Sequence, residues 1–498
     1  MNHITTPGVT AIFNWGKTIF LLLGAVLFVI VYGLGAIPDA LDPAGNHFAL
    51  THEGKGALAI LALAITWWIS KALPVGVTAI AVGMLQMLFI AHPGGAAFGN
   101  FISPPILFIC ASTLIGMAFM KTGLIKRLVY RVLMAAGDRT VLVYLGSMVV
   151  IALLSHIMIY TAVVASVYPL LFSAYMRHAE GEQPTRFGKG LFIAMAYAAA
   201  AGSMITLPGA ARSVLALEFF RAFAGREINS GHFSYYMLPL GWLMLFSLWG
   251  FVMICFRPQK KHIPEFREYI RLQCAELGAA SRNEILTLVI AVTGVMVLLL
   301  SSLMPEGMVW NKTVVIVTPV LLLFMLDILD IHDLQSLPWN MILLFSGAIS
   351  VAFCLWETGA ARWLAVNGLN VLQSSNGAVI AMVAAFLALL MANGMANVVV
   401  LAVVLPVMVA AASYLKIVPD VLLLTILAAV GMPLMLPAAG AANTLVCESG
   451  QFTDREFFMY GAMASVLVIV VLALMVYVVW PMMGLSLFIF ENLHEVVQ

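Results

Sequence analysis

The chain has 498 residues, 63% hydrophobic and only 9% charged, with a formal net charge of +1. No soluble domain of this size keeps its surface wet on so few charges, so the expected solvent is lipid. The near-neutral balance leaves no nucleic-acid footprint. The five cysteines (Cys110, Cys255, Cys274, Cys354 and Cys447) form no CxxC or Cys/His ligand spacing, so they read as packing residues and no metal or cofactor is expected from them.

In chain order, the first apolar run, 18–37, is too long for a signal-peptide core and reads as a retained span. Ordinary spans follow at 57–70, 75–92, 104–120, 235–256, 285–303, 313–327, 340–356 and 456–480. Four stretches are different. Val141 to Met176 and Ala378 to Leu415 are each nearly twice a span, without a charged break, and carry polar or small residues at their middles. This is the pattern of a re-entrant helical hairpin. Phe187 to Phe223 and Val421 to Val446 contain "GSMITLPGAAR" and "GMPLMLPAAGAAN", where glycine and proline should interrupt the helical ladder.

The order span, interfacial amphipathic segment, hairpin, broken span occurs twice, giving repeats at about 57–256 and 285–480 within one transmembrane domain covering 1–498. Thr122-Gly123 corresponds to Thr358-Gly359, Pro169 to Pro406, and Gly209-Ala210-Ala211 to Gly440-Ala441-Ala442. Most Lys and Arg residues fall on one side if the N-terminus is cytoplasmic, which places the C-terminus in the periplasm of a bacterial inner-membrane protein. The expected fold is therefore an all-α polytopic membrane protein with about 11 spans, two re-entrant hairpins and two broken helices in inverted repeats.

Four fragments, in order, resemble the divalent anion:sodium symporter family: "ITWWISKALPVGVTAI" at 65–80, "MKTGLIKRL" at 120–128, "PWNMILLFSGAISVAF" at 338–353 and "MLPAAGAANTLVCESG" at 435–450. The resemblance implies a secondary carrier of a small anion of the di- or tricarboxylate or sulfate class, working by alternating access, with sodium as a coupling ion and a homodimer as the assembly. Departures from the pattern are concentrated at the site. The family's Ser-Asn-Thr hairpin tips fall on Ile159-Tyr160-Thr161 and Ala396-Asn397-Val398, and its Thr-Pro-Pro-Asn segments on Gly209-Ala210-Ala211-Arg212 and Gly440-Ala441-Ala442-Asn443. Coupling to sodium, to protons or to a counter-anion thus stays open. A transport-inactive sensor or scaffold is the other reading that eroded tips suggest. An enzyme is not expected, because no HExxH, GxSxG or paired-carboxylate constellation occurs.

Candidate substrate contacts are Thr161, Tyr160, Asn397, Arg212, Asn443 and Asn393. Arg212 could supply a fixed positive charge in place of one sodium, or else snorkel to the outer interface or pair with Glu218. The amides and hydroxyls could bind the anion or glue helices together. Tyr160 could donate its phenol or fill space. Candidates for ion coupling are His156, Ser203, Thr206, Gly209 and Gly440, with His156 either a proton carrier or a neutral side chain bonded to a carbonyl. Glu448 is a further buried candidate, and the glycines let helix ends approach a ligand.

Overall fold

The computed structural model describes residues 15–35, 37–42, 45–90, 98–179, 184–263, 265–300, 311–371 and 377–488. The chain is a multi-pass, almost wholly helical membrane protein; its one described sheet is a two-stranded antiparallel ribbon, Ala40–Leu41 with His47–Phe48. Three helices, α1 (Trp15–Gly33), α2 (His52–Ser70) and α3 (Val75–Phe89), lead into α4 (Pro104–Thr122). Gly123, at φ 79°, ends α4 and turns the chain into the amphipathic α5 (Leu124–Ala136). The first hairpin is α6 (Thr140–Leu154) and α7 (Tyr160–Ala179), and the first broken helix is α8 (Arg186–Ser203) and α9 (Ala211–Ala224).

After α10 (Ser230–Cys255) comes α11 (Phe266–Glu276), a charged linker helix that the hydropathy pattern did not reveal. Next are α12 (Arg282–Leu300), α13 (Lys312–Met325), the short α14 (Ile331–Gln335), α15 (Trp339–Glu357) and α16 (Ala360–Val371). The second hairpin is α17 (Gly377–Gly394) and α18 (Asn397–Leu415). The second broken helix is α19 (Pro419–Val430) and α20 (Ala441–Cys447), and α21 (Asp454–Leu474) follows. Among the described residues, eight helices are long and apolar enough to cross a membrane. The 15 residues of α6 rise about 22 Å, short of a hydrocarbon core of about 30 Å.

At the hairpin tips Ser155 and Asn393 are buried, while Gly394, at the turn of the second, is exposed. The leading halves of the broken helices form the centre of the fold: α19 is buried on every face from Val421 to Val430, and α8 almost so from Phe187 to Ser203. Alanine-rich sequence in α8 allows that close approach. Packing is exchanged between the two halves of the chain. The trailing arm α9 packs on α18 of the second hairpin, and α20 packs on α7 of the first; likewise α3 packs on α15 and α4 on α13.

The amphipathic α5, which precedes the first hairpin, is tied to α12 by a buried ion pair. Arg127 on α5, 9% exposed at its side chain, meets Glu284 of α12, 7% exposed, at 3.0 Å. Three further guanidinium hydrogens are donated to the carbonyls of Gly278, Leu277 and Ala279. Removing one partner of such a pair leaves the other charge buried. Glu284→Leu is expected to destabilise the protein by about 3 kcal/mol, read as a lower melting temperature of the purified protein in detergent; an unchanged melt would show that the pair contributes nothing.

Candidate functional site

The first break runs from Met204 to Ala210, and the first hairpin tip from Ser155 to Ile159. Two hydrogen bonds to main-chain carbonyls lock them together. The Thr206 hydroxyl donates to the His156 carbonyl at 2.6 Å, and the Tyr160 amide donates to the Gly209 carbonyl at 3.1 Å. Glycine is required at 209, because a Cβ there would lie 2.4 Å from the Ser155 carbonyl oxygen and 2.7 Å from that of Ser203. Tip and break therefore form one body.

Arg212 stands in the first turn of α9 and is 2% exposed. One Nη2 hydrogen is donated to Ser203 Oγ at 2.7 Å, while Ser203 donates to the Ala200 carbonyl. The guanidinium carbon lies 5.5 Å from the centroid of the Tyr160 ring, within cation–π range. The side chain reaches across to the second broken helix, where a Cβ on Gly431 would sit 3.1 Å from both Nε and Nη2. Gly431 caps the C-terminal end of α19, the partially negative end of a helix. Nε is buried without a hydrogen-bond partner, and among the described residues no carboxylate lies within ion-pair reach. The expected alternatives of snorkelling or pairing with Glu218 do not occur.

Around this cation the structure brings together Tyr160, Ser203, Gly209 and Gly440; the Tyr160 hydroxyl is 3.8 Å from where a Cβ on Gly440 would be. Thr161 follows Tyr160 in the first turn of α7, half-buried. Asn397 opens α18, 9% exposed, with its Oδ1 buried and lacking a partner. Asn393 and Asn443 are differently placed. Asn393 donates to the Leu389 carbonyl and accepts from the Met435 amide at 2.7 Å, tying the second tip to the second break. Asn443 donates to the carbonyls of Pro433 and Leu436, bridging that break from within.

His156 faces Trp242 of α10 edge-on, ring centroids 6.0 Å apart, and neither ring nitrogen forms a hydrogen bond of good geometry. Its carbonyl, not its ring, meets the break. Glu448, expected to be buried, is exposed at the end of α20. Gly431 and Trp242 were missed by sequence reasoning. Gly431 begins the interrupted "GMP" segment and was legible there as a helix end; Trp242 carried no signal.

The architecture, with two helical hairpins set against two interrupted helices at the centre of the bundle, is that of a membrane carrier. Over residues 21–486 the chain matches the sodium:sulfate symporter transmembrane region, and it belongs to that family of secondary active anion transporters. The sodium-dependent dicarboxylate transporter SdcS of Staphylococcus saprophyticus is 24% identical over 499 residues, covering 95% of this chain and 93% of that protein. SdcS of Staphylococcus aureus strain NCTC 8325 is 24% identical over 496 residues, covering 94% and 92%. Among solved structures, the Alcanivorax borkumensis YdaH transporter aligns with a TM-score of 0.56 at 13% identity, covering 96% of this chain and 100% of that one. Neisseria gonorrhoeae MtrF aligns at 0.51, also at 13% identity, covering 94% and 96%. These two likenesses concern the fold alone.

The two glycines that open the trailing half-helices differ in the room around them. Gly209→Ala is expected to drive tip and break apart, destabilising the protein by about 1–3 kcal/mol and abolishing uptake. Gly440→Ala, whose methyl would meet only the Tyr160 hydroxyl at ordinary contact distance, should melt like the wild type. Equal melting temperatures for all three proteins would contradict the packing described.

Proposed function

We propose that the protein carries a small organic or inorganic anion, of the di- or tricarboxylate or sulfate class, across the bacterial inner membrane by alternating access, with Arg212 as the anion's fixed counter-charge. One observation carries this reading: a guanidinium 2% exposed, without a carboxylate in reach among the described residues and with a donor still unused. A buried charge is tolerated only when paired. The end of α19 offsets about half a unit of charge, and the N-terminus of α9, with no side-chain cap, adds positive potential of similar size. The balance calls for an anion.

Tyr160 and Thr161 would offer hydroxyls to that anion from the first hairpin, and Asn397 its amide from the second. The free Asn397 Oδ1 suits a donor on the substrate or a co-transported sodium, the ion for which the SdcS relatives are named. At the first tip, Arg212 takes the place of a second cation. Asn393 and Asn443 hold the backbone of the second break, and Ser203 orients Arg212. Ser203, Thr206, Gly209 and Gly440 thus serve the geometry of the site, and His156 would tune tip packing against Trp242.

The two halves, about 57–256 and 285–480, would act as inverted repeats, a reading supported by the exchanged packing of α9 with α18 and of α20 with α7. Each hairpin and broken helix would then move together. The N-terminus would be cytoplasmic and the C-terminus periplasmic, and two copies would assemble as a homodimer, as the family resemblance implies.

Arg212→Gln keeps size and hydrogen bonding but removes the charge. In proteoliposomes it is expected to lower uptake of labelled succinate or sulfate by roughly 100-fold or more, in line with loss of one partner of a buried pair, at wild-type expression. Arg212→Lys, a charge without the planar fork, should fall between the two. Wild-type uptake by the Gln variant would overturn the assignment.

A further inference from the structure

We infer that a basic platform at the foot of the first hairpin, at the opposite end of that hairpin from its tip, binds the headgroups of anionic phospholipids. The platform is built by the main chain. Arg139 caps the start of α6, and the linker that follows α10 is bonded along this turn. The Thr140 amide donates to the Lys261 carbonyl at 3.2 Å, and the Thr140 hydroxyl to the carbonyls of Lys260 and Lys261 at 2.9 and 3.1 Å. The Ile263 amide donates to the Asp138 carbonyl at 2.9 Å, and Arg139 and His262 pair as an isolated antiparallel bridge. Thr140 and Ile263 are buried beneath. Main-chain groups and one hydroxyl hold the segment, so its long side chains are not needed to fix it.

Those side chains are cationic. Arg139, Arg257, Lys260 and Lys261 are exposed, and Arg139, Arg257 and Lys261 form no ion pair among the described residues. The carboxylates of the region are met locally. Asp138 accepts from the Arg267 amide at 2.6 Å, Glu268 accepts from Arg271 at 2.8 Å, and both line one groove with Glu265, Arg267 and Arg271. The platform therefore keeps an excess of positive charge.

Phospholipid is the polyanion that fits, because apolar surface borders the charge. Ile254, three residues before Arg257 at the end of α10, is 83% exposed. Met134 in the last turn of α5 and Leu272 on α11, two helices that pack together, are exposed as well. A soluble acidic protein or a free phosphate would cover the cations and leave these side chains bare. A lipid satisfies both, its phosphate meeting Arg257 and Lys261 and its acyl chain lying along Ile254. Clusters of about four to eight Lys and Arg directly beyond a spanning helix recognise anionic lipid in this way, and arginine offers the phosphate a planar fork.

The test reconstitutes the full chain into vesicles of equal parts phosphatidylcholine and phosphatidylglycerol and counts, by native mass spectrometry, the lipid retained on the released protein. Phosphatidylglycerol is expected to be retained over phosphatidylcholine by at least about fivefold, the worth of one cation near an anionic surface. Arg257→Gln/Lys261→Gln should bring the two lipids close to parity at a wild-type melting temperature. Lys71→Gln/Arg221→Gln, which removes the same charge from exposed positions outside the platform, should keep the wild-type preference. Equal retention of the two lipids by the wild type, or equal loss of preference in both double variants, would overturn the site. Displacement of the lipid by excess glycerol 3-phosphate would show a free-phosphate site, and displacement by polyglutamate a soluble acidic partner; either would overturn the assignment to lipid.

Discussion

A guanidinium buried at the meeting point of two interrupted helices, with no carboxylate beside it among the described residues, is the constraint around which this site is arranged. Its placement sets demands on each neighbour. Ser203 must present an oxygen, Gly431 must lack a side chain, and Tyr160 must offer the face of its ring. Gly209 must let the hairpin tip close to van der Waals distance so that the Tyr160 amide and the Thr206 hydroxyl find their carbonyls. Those bonds also answer the backbone groups that a broken helix leaves unsatisfied, which is the condition for irregular backbone inside a membrane protein.

The two halves of the chain meet the same requirement with different chemistry. In the first, a charged side chain and hydroxyls span the break. In the second, two asparagines do so: Asn443 reaches back to the carbonyls of Pro433 and Leu436, and Asn393 secures the Met435 amide. An amide can serve as donor and acceptor at once and carries no net charge, so the second break is neutral where the first is positive. The result is a site whose two halves differ in charge. The leading halves α8 and α19 stay almost fully buried, and the trailing arms α9 and α20 each rest on the other half's hairpin.

Much of this frame was legible in the sequence, because lipid imposes a length and a continuity on every ordinary span. The stretches that violated those limits, 141–176 and 378–415, are the hairpins, and the Gly/Pro-interrupted segments are the breaks. Arg212 stood out for the same reason, as a charge at membrane depth. The partners of polar side chains were not legible. Nothing in composition or spacing told that Asn393 and Asn443 turn to main-chain groups while Asn397 keeps a free oxygen, since all three are amides beside small residues. The linker helix α11 escaped for the converse reason: it is charged, lies outside the apolar runs, and is bounded by no hydropathy signal. Glu448 was misplaced because α20 is only seven residues long and delivers it to the surface.

The central claim is that Arg212 is the counter-charge of the transported anion. The most direct measurement is anomalous diffraction from crystals of the wild-type protein grown with selenate or bromosuccinate. The account predicts an anomalous peak beside the Arg212 guanidinium, within reach of the Tyr160 hydroxyl and between the two hairpin tips. A well-occupied peak elsewhere in the bundle, with Arg212 still directed at Ser203 and Gly431 and touching no anion, would contradict it.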